Sequence, residues 1–259
     1  MNVHVTGAGG FIGGVLVSEL RRAGHDVVAA GAAQAIVHLA AIAHRRASRQ
    51  ELADVNVGLT ERIARQAAAA GAHFVFMSSV KVHGEQSQVP LTEASRIAPQ
   101  DAYAESKALA EERLQAIAGL RLAVLRPPLV YGPGVKANFL ALMRAISAGW
   151  PLPLATTHNR RSLIYVGNLA SAVVRCLDVE GTYLVSDGGA VSTAQLCRDL
   201  GVALGRPARL VPFPPALLPR KLVASLELDD RAIREQLGWQ PRFTRQAGLA
   251  ATVDWYRAR

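Results

Sequence analysis

The sequence predicts an α/β fold, a doubly wound parallel sheet with a small C-terminal lobe. Short apolar runs alternate with Ala- and Arg-rich stretches of helical length, the rhythm of parallel βαβ units. A glycine-rich turn follows the first apolar run, and proline-rich connections break the rhythm after Pro127.

Val3-His4-Val5 is a short β-prone run, Gly7 to Gly13 forms the turn, and Phe11 to Arg22 has helical apolar spacing, ended by Gly24. Further strands are expected at Ala35 to Leu39, His73 to Met77, Arg121 to Leu125 and Gly181 to Val185. Helices are expected at Glu51 to Ala70, Tyr103 to Ala118 and Val166 to Leu177. Residues 1–127 plus about 163–186 are then expected to form the doubly wound domain. Residues 128–162 plus 187–259 are expected to form the smaller lobe, punctuated by Gly132-Pro133-Gly134, Pro151-Leu152-Pro153 and Pro212, Pro214, Pro215 and Pro219.

With 259 residues, half of them hydrophobic, a disordered or fibrous chain is excluded. The net charge of +9 is carried by 25 Arg and 4 Lys spread along the chain. Such spreading argues against a nucleic-acid partner and suits a phosphate-ester substrate in an Arg-lined cleft. Cys176 and Cys197 lack metal or disulfide spacing, so buried thiols and no metal site are expected. Met1 to Val5 has no signal-peptide pattern. The apolar stretch Ala29 to Ala43 is interrupted by Gln34 and His38 and falls short of the ~20 residues of a membrane span. A soluble cytoplasmic protein with no membrane partner is the expectation.

Gly7, Gly10 and Gly13 sit between a strand and a helix. Missing side chains there permit a tight turn, close approach of a pyrophosphate, and presentation of helix N-terminal amides to it. The alternative is a merely structural turn. Ser79 follows a predicted strand, and carboxyl ends of strands face the ligand crevice in such sheets. Tyr103 and Lys107, four apart, share one helix face. An ammonium beside a phenol lowers its pKa from about 10, making Tyr103 a usable acid and base, with Ser79 holding the reacting oxygen. An ordinary exposed helix pair is the alternative.

Gly7-x-x-Gly10-x-x-Gly13, His38-Leu39-Ala40-Ala41, Asn56, Ser79 with Val82-His83-Gly84, and Tyr103-x-x-x-Lys107 resemble the extended short-chain dehydrogenase/reductase family, in particular its NAD-dependent epimerases and dehydratases of nucleotide sugars. Ser78 to Glu85 and Arg126 to Phe139 are similar to a UDP-glucose 4-epimerase-like branch that includes 4-keto-sugar reductases of O-antigen synthesis. The resemblance runs from Met1 to Leu237-Gly238-Trp239-Gln240-Pro241 and on to Tyr256. It implies catalysis by Ser79, Tyr103 and Lys107, with NAD or NADP held by Gly7, Gly10, Phe11, Ile12, Gly13, Leu39, Ala40, Ala41, Asn56, Tyr103, Lys107 and Pro128. Lys107 would also bond the nicotinamide ribose. For a UDP-sugar it implies Ser79, Lys81, Asn138, Arg161 and Lys221, the amide and guanidinium suiting phosphate oxygens. It further implies redox chemistry at C4 of a UDP-hexose or UDP-N-acetylhexosamine in polysaccharide synthesis, and a homodimer through the Glu51 to Ala70 and Tyr103 to Ala118 helices. His83 stands where many relatives have Tyr and is expected to line the site. His38 and His44 lack metal spacing, His25 and His158 read as loop residues, and Arg45-Arg46-x-x-Arg49 reads as a solvated helix face.

The chain departs from that family in one place. His25 to Gly31 ends without the Asp, Glu or Arg that contacts the adenosine ribose, and only Ala32-Ala33-Gln34 precedes the next strand. A parallel crossover needs about a dozen residues, and five reach at most ~17 Å. Full strands at 26–30 and 35–39 are therefore incompatible. The expectation is a lost or distorted second strand, no third strand and an incomplete adenosine pocket. Two readings follow: an active C4 enzyme holding its cofactor by the pyrophosphate and nicotinamide ends, or a truncated non-catalytic relative kept as a binding or interaction protein.

Overall fold

The computed structural model describes residues 1–43 and 47–258, so His44, Arg45 and Arg46 lie outside the described residues. In chain order the elements begin β1 (Asn2–Thr6), α1 (Phe11–Arg22), β2 (Asp26–Val27) and β3 (Ala35–His38). Next come α2 (Arg49–Leu52), a π-helical stretch (Ala53–Leu59), α3 (Thr60–Ala69), β4 (His73–Met77), α4 (Ala102–Gln115) and β5 (Arg121–Arg126). After these follow β6 (Leu129–Tyr131), α5 (Ala137–Ala148), β7 (Leu163–Tyr165), α6 (Val166–Arg175) and β8 (Gly181–Leu184). The chain closes with α7 (Thr193–Ala203), α8 (Arg220–Val223), α9 (Arg231–Leu237) and α10 (Arg245–Arg257).

Six strands form one parallel sheet in the order β2-β1-β3-β4-β5-β8. Both faces are covered, which is why its strands are apolar at successive positions rather than alternating. Val3, Val5, Val37, Val75, Met77 and Leu125 meet Leu16 and Leu20 of α1 and Leu169 and Val173 of α6 on one face. On the other, Ile36, Phe74, Phe76 and Val124 meet Ala64 and Ala67 of α3 and Ala110 and Leu114 of α4. Alanines let these helices lie close. A second core joins Tyr131, Phe139, Met143, Ile146, Leu163, Leu196, Leu200, Leu249 and Val253, from β6, α5, β7, α7 and α10. Its β6 and β7 pair in parallel as a separate two-stranded sheet, which the sequence patterns did not suggest.

The departure at the second strand takes a definite form. The strand stops at Val27 and pairs only beside Asn2 and Val3, while β3 takes the opposite edge of β1 from Val3 to Thr6. Between them lies a 3-10 turn at Ala30–Ala32, with no further strand or helix. The reach conflict vanishes because a strand this short leaves almost nothing to climb back. Val28 N donates to Val3 O at 3.0 Å, and His4 Nδ1 donates to Val28 O at 2.9 Å. The seven residues 28–34 reach ~24 Å, ample for crossing one strand. Asn2 fastens the crossing: its amide donates to Ala32 O at 3.3 Å, its backbone N donates to Gln34 Oε1 at 2.9 Å, and its O accepts from Gln34 N at 2.9 Å.

The helix expected from Glu51 to Ala70 begins at Arg49 behind a Ser48–Glu51 capping box and widens into the π-helical stretch around Asn56. Arg49, the described member of the arginine cluster, is exposed and pairs with Glu105 at 2.5 Å.

Candidate active site

At the end of β1 the chain must turn sharply to start α1. Gly7 has a φ of +75°, and a Cβ on it would lie 3.0 Å from Ala40 N. A Cβ on Gly13 would lie 2.2 Å from Gly7 O, so the turn closes only around glycine there. Gly10 donates to Gly7 O at 3.0 Å and caps α1 with no side-chain oxygen, leaving the first-turn amides of Phe11 and Ile12 to face a ligand. This side-chain-free cradle fits a dinucleotide pyrophosphate. The Phe11 side chain reaches across to the second core and Ile12 packs into the first.

Across the cradle, Leu39 N donates to Thr6 O at 3.2 Å and Ala40 N to Thr6 Oγ1 at 3.3 Å. Leu39, Ala40 and Ala41 are half-buried along the crevice wall. Asn56 is corrected here: it is wholly buried, accepting from Ile42 N at 2.8 Å and donating to Ile42 O at 3.1 Å and Ser106 Oγ at 2.9 Å. With both donors used and no exposed surface, it positions the loop, which changes its part from the direct cofactor contact expected of it to a supporting one. Pro128, buried after β5, lies beside Pro127, whose O accepts from Val80 N at 3.0 Å.

Ser79 follows β4, its Oγ accepts from Lys81 N at 3.3 Å, and its hydroxyl lies near enough to the phenol of Tyr103, in the first turn of α4, to favour the phenolate. Asp101 caps that helix by accepting from Ala104 N at 2.7 Å. Burial, then the Asp101 charge, push the Tyr103 phenol up to about 12, against the pull of the Ser79 hydroxyl. The phenol is therefore raised where the helix spacing led to the expectation of a lowered one, and burial is the first cause. Lys107 is itself enclosed. Its side chain is 2% exposed, with Nζ 4.2 Å from the centre of the Phe76 ring. Burial lowers the amine to about 7, with Glu111 pulling the other way, so at neutral pH the full charge needed beside the phenol is not held. On the other side of Phe76, His38 stacks at 6.2 Å and bonds Thr6 Oγ1 at 2.8 Å and Thr60 Oγ1 at 2.9 Å. Burial, then Lys107, take the His38 imidazole down to about 3, so it is a neutral core residue.

Lys81 Nζ donates to Asp101 at 2.6 Å and Glu85 at 2.8 Å; burial opposes its charge, but these bonds prevail and raise its pKa. Arg161 is half-buried and donates to Ala224 O at 3.0 Å; burial lowers its pKa while the charge of Glu85 favours the cation. Glu85 thereby links Lys81 and Arg161. Asn138 stands exposed in the first turn of α5, next to Ala137, the one described non-glycine residue with left-handed backbone (φ 54°). Lys221 is exposed on α8.

His83 is also corrected. It is 6% exposed, donates from Nδ1 to Arg96 O at 3.1 Å and accepts at Nε2 from Arg126 at 3.0 Å. Burial lowers its pKa, and it belongs to an internal network rather than the crevice wall. In that network Arg126 Nε donates to Glu111 at 3.0 Å, and Ser78 Oγ donates to the same carboxylate. Sequence reasoning passed over Asp101 and this Ser78–Glu111–Arg126 group. An Asp two before Tyr103 is a readable helix cap, whereas the buried ion pair joins positions 15 apart with no local signature.

Sheet order, glycine cradle and the Ser79, Tyr103 and Lys107 arrangement define an extended short-chain dehydrogenase/reductase. The sequence profile of the NAD dependent epimerase/dehydratase family matches residues 28–184, and the chain belongs to that family. It is 37% identical over 247 residues to a UDP-glucose 4-epimerase of Vibrio cholerae, covering 85% of this chain and 75% of that protein. It is 30% identical over 244 residues to a dTDP-4-dehydrorhamnose reductase of Mycobacterium tuberculosis, covering 83% and 80%. A UDP-glucose 4-epimerase of Thermus thermophilus, solved with NAD, shares the fold at a TM-score of 0.82 and 24% identity, with 99% of each chain covered. The family is one of nucleotide-sugar epimerases, dehydratases and reductases. No helix among the described residues is long and apolar enough to cross a membrane, and no cluster of metal ligands occurs among them.

Proposed function

We propose that the protein is an NAD(P)-dependent enzyme acting at C4 of a UDP-hexose or UDP-N-acetylhexosamine, as a 4-epimerase or 4-keto-sugar reductase serving polysaccharide (O-antigen) synthesis. The observation that carries this reading is the placing of the Ser79 hydroxyl beside the Tyr103 phenol at the carboxyl end of β4, with Lys107 one turn further along α4. A nicotinamide, when bound, supplies hydride exchange with the sugar carbon. The Ser79 hydroxyl would hold the C4 oxygen and Tyr103 would move the proton on it. With the phenol held at about 12, Tyr103 rests protonated and can donate to the oxygen of a 4-keto sugar. Lys107, close to losing its own proton, is suited to orient a ribose hydroxyl and tune the phenol.

On the same reading the Gly7, Gly10 and Gly13 cradle holds the pyrophosphate, with Phe11 and Ile12 offering amides and Leu39, Ala40, Ala41 and Pro128 lining the cofactor. Lys81, Asn138, Arg161 and Lys221 receive the UDP-sugar. Residues 1–127 plus about 163–186 act as the cofactor domain and 128–162 plus 187–259 as the substrate lobe. The helices flanking Asn56 and α4 pair two copies as a homodimer.

Incubation with NAD and UDP-glucose or UDP-N-acetylglucosamine should yield the C4 epimer by NMR; incubation of a UDP-4-keto sugar with NADH or NADPH should yield the alcohol. Failure of both, with no thermal shift from NAD or NADP at about 100 times an expected dissociation constant, where about 2.7 kcal/mol is due, overturns the reading. The second reading, a non-catalytic relative, is favoured by one observation: β2 ends at Val27, and residues 28–34 that follow it carry no charged side chain to hold an adenosine ribose.

A further inference from the structure

Every residue from Val211 to Leu217 is apolar, and every one is exposed. Leu217 is 73% exposed, Val211 38% and Phe213 37%, so the run is not a covered loop. A domain seldom leaves such a stretch in water without a use for it. The run is held in place from beneath. Leu152 and Leu210 form a parallel bridge, Leu152 N donates to Arg209 O at 2.8 Å, Val211 N to Leu152 O at 2.9 Å, and Thr156 Oγ1 to Phe213 O at 2.6 Å. Trp150, 65% exposed, stands at the near end of this ribbon, where Arg209 Nη1 donates to Gly149 O at 3.5 Å and Arg206 Nη1 to Ser147 O at 2.6 Å. Leu210, Leu218 and Leu222 turn inward to the second core, which fixes the outward set.

Along the chain, the charge flanking the run has one sign. No Asp or Glu occurs from Leu200 to Leu226, whereas Arg206, Arg209, Arg220 and Lys221 do, all exposed. The segment carrying Trp150 lies in a second acid-free stretch, from Arg113 to Leu177. A second copy docked by a two-fold axis would set these cations against themselves, so self-association is disfavoured. A nucleic acid would meet the cations but leave the aliphatic run without a partner. An anionic bilayer satisfies both: apolar tips enter the headgroup boundary while arginines stay with the phosphates. The backbone suits that medium. Pro212, Pro214 and Pro215 have no N–H, and Val211 N and Leu217 N already donate within the protein, so few amides lose water on insertion.

We infer that Trp150 and the Val211–Leu217 run, with the arginines at their margin, form a peripheral docking surface for anionic lipid bilayers. It does not rest on the proposed activity: of its cations only Lys221 is shared with the proposed UDP-sugar site, and its assay needs neither nucleotide nor turnover. Bacterial-type vesicles serve as the probe. The whole protein should float with vesicles of phosphatidylcholine containing one third phosphatidylglycerol, at least about tenfold more tightly than with phosphatidylcholine alone, and should be released by about 0.5 M salt.

The pair Phe213→Ser and Leu217→Ser should weaken this binding at least about tenfold, and Leu217→Ser alone, at a side chain 73% exposed, should weaken it with an unchanged melting temperature. Arg209→Gln should lower binding to the anionic vesicles. The Trp150 emission should move to shorter wavelength with vesicles, and Trp150→Phe should remove that change. Absence of flotation, equal flotation of the Ser pair, or a dimer in light scattering that the Ser pair dissolves would each overturn the inference. So would RNA binding at lower concentration than vesicle binding that leaves the vesicles unbound.

Discussion

The two ends of the cofactor crevice are built to different standards. At the catalytic end, Ser79, Tyr103, Lys107, His38 and Asn56 all sit among named partners, and the Ser78–Glu111–Arg126–His83 network backs them. At the adenosine end, two strand residues lead into a crossing of alanine, glycine and valine, half-buried to exposed and held mainly by Asn2 and Gln34. The contrast separates two jobs that one ligand does at once. Chemistry depends on the tightly held end, whereas affinity is spread over both, so a chain can lose adenosine contacts and keep its reacting groups in place.

The largest expected effect lies at the tightly held end. Tyr103→Phe should reduce turnover by about 10²–10⁴-fold while dinucleotide binding, read by calorimetry, changes less than about threefold. Retained turnover would break the assignment of the proton-moving role.

Next comes pH. His38 ionises near 6.5 when unfolded and at about 3 in the fold, so below pH 6.5 the unfolded chain binds a proton that the folded chain refuses. Stability should therefore fall as pH drops from about 6.5 toward 3, by up to about 1.4 kcal/mol per unit once that proton is fully bound in the unfolded chain. Melting curves read the slope, and the His38 ring resonances should not titrate above pH 4. For Lys107 the sign is such that stability rises with pH between about 7 and the ordinary lysine range, since there the unfolded chain again holds the extra proton.

A smaller effect contrasts two neighbouring glycines. Gly13→Ala sets a Cβ against Gly7 O and Ala8, and should cost at least about 1–3 kcal/mol together with most dinucleotide affinity. Gly14→Ala, with nothing within 4 Å of its Cβ inside α1, should gain about 0.5–1 kcal/mol and leave binding alone. The smallest effect tests the sparse end. With neither a carboxylate nor an arginine after β2, NAD and NADP should bind within about tenfold of each other, a difference under about 1.4 kcal/mol. A wide gap would mean that another part of the chain reads the ribose.

Much of the frame was legible because its signals are local. Glycine spacing marked the cradle, and apolar runs marked five strands of the main sheet within a residue or two of β1, β3, β4, β5 and β8. The missing length between His25 and Ala35 was readable as a reach problem, and the fold answers it by ending β2 at Val27. Long-range pairings left no such trace. Nothing near Glu111 announces Arg126, and nothing near Leu129 announces its pairing with Leu163. The phenol went the other way for the same reason: helix spacing puts Lys107 on the Tyr103 face but does not reveal how deeply the fold buries the phenol or that it sets Asp101 beside it.

The two-residue β2 also sets how the sheet meets other chains. It is an edge strand, and edges of full length present a row of free backbone groups on which a foreign strand can zip up. A rim only two residues long offers too little ladder to fix a register, and the crossing bends away immediately beyond it. The shortness of β2 thereby leaves this side of the sheet a poor template for aggregation.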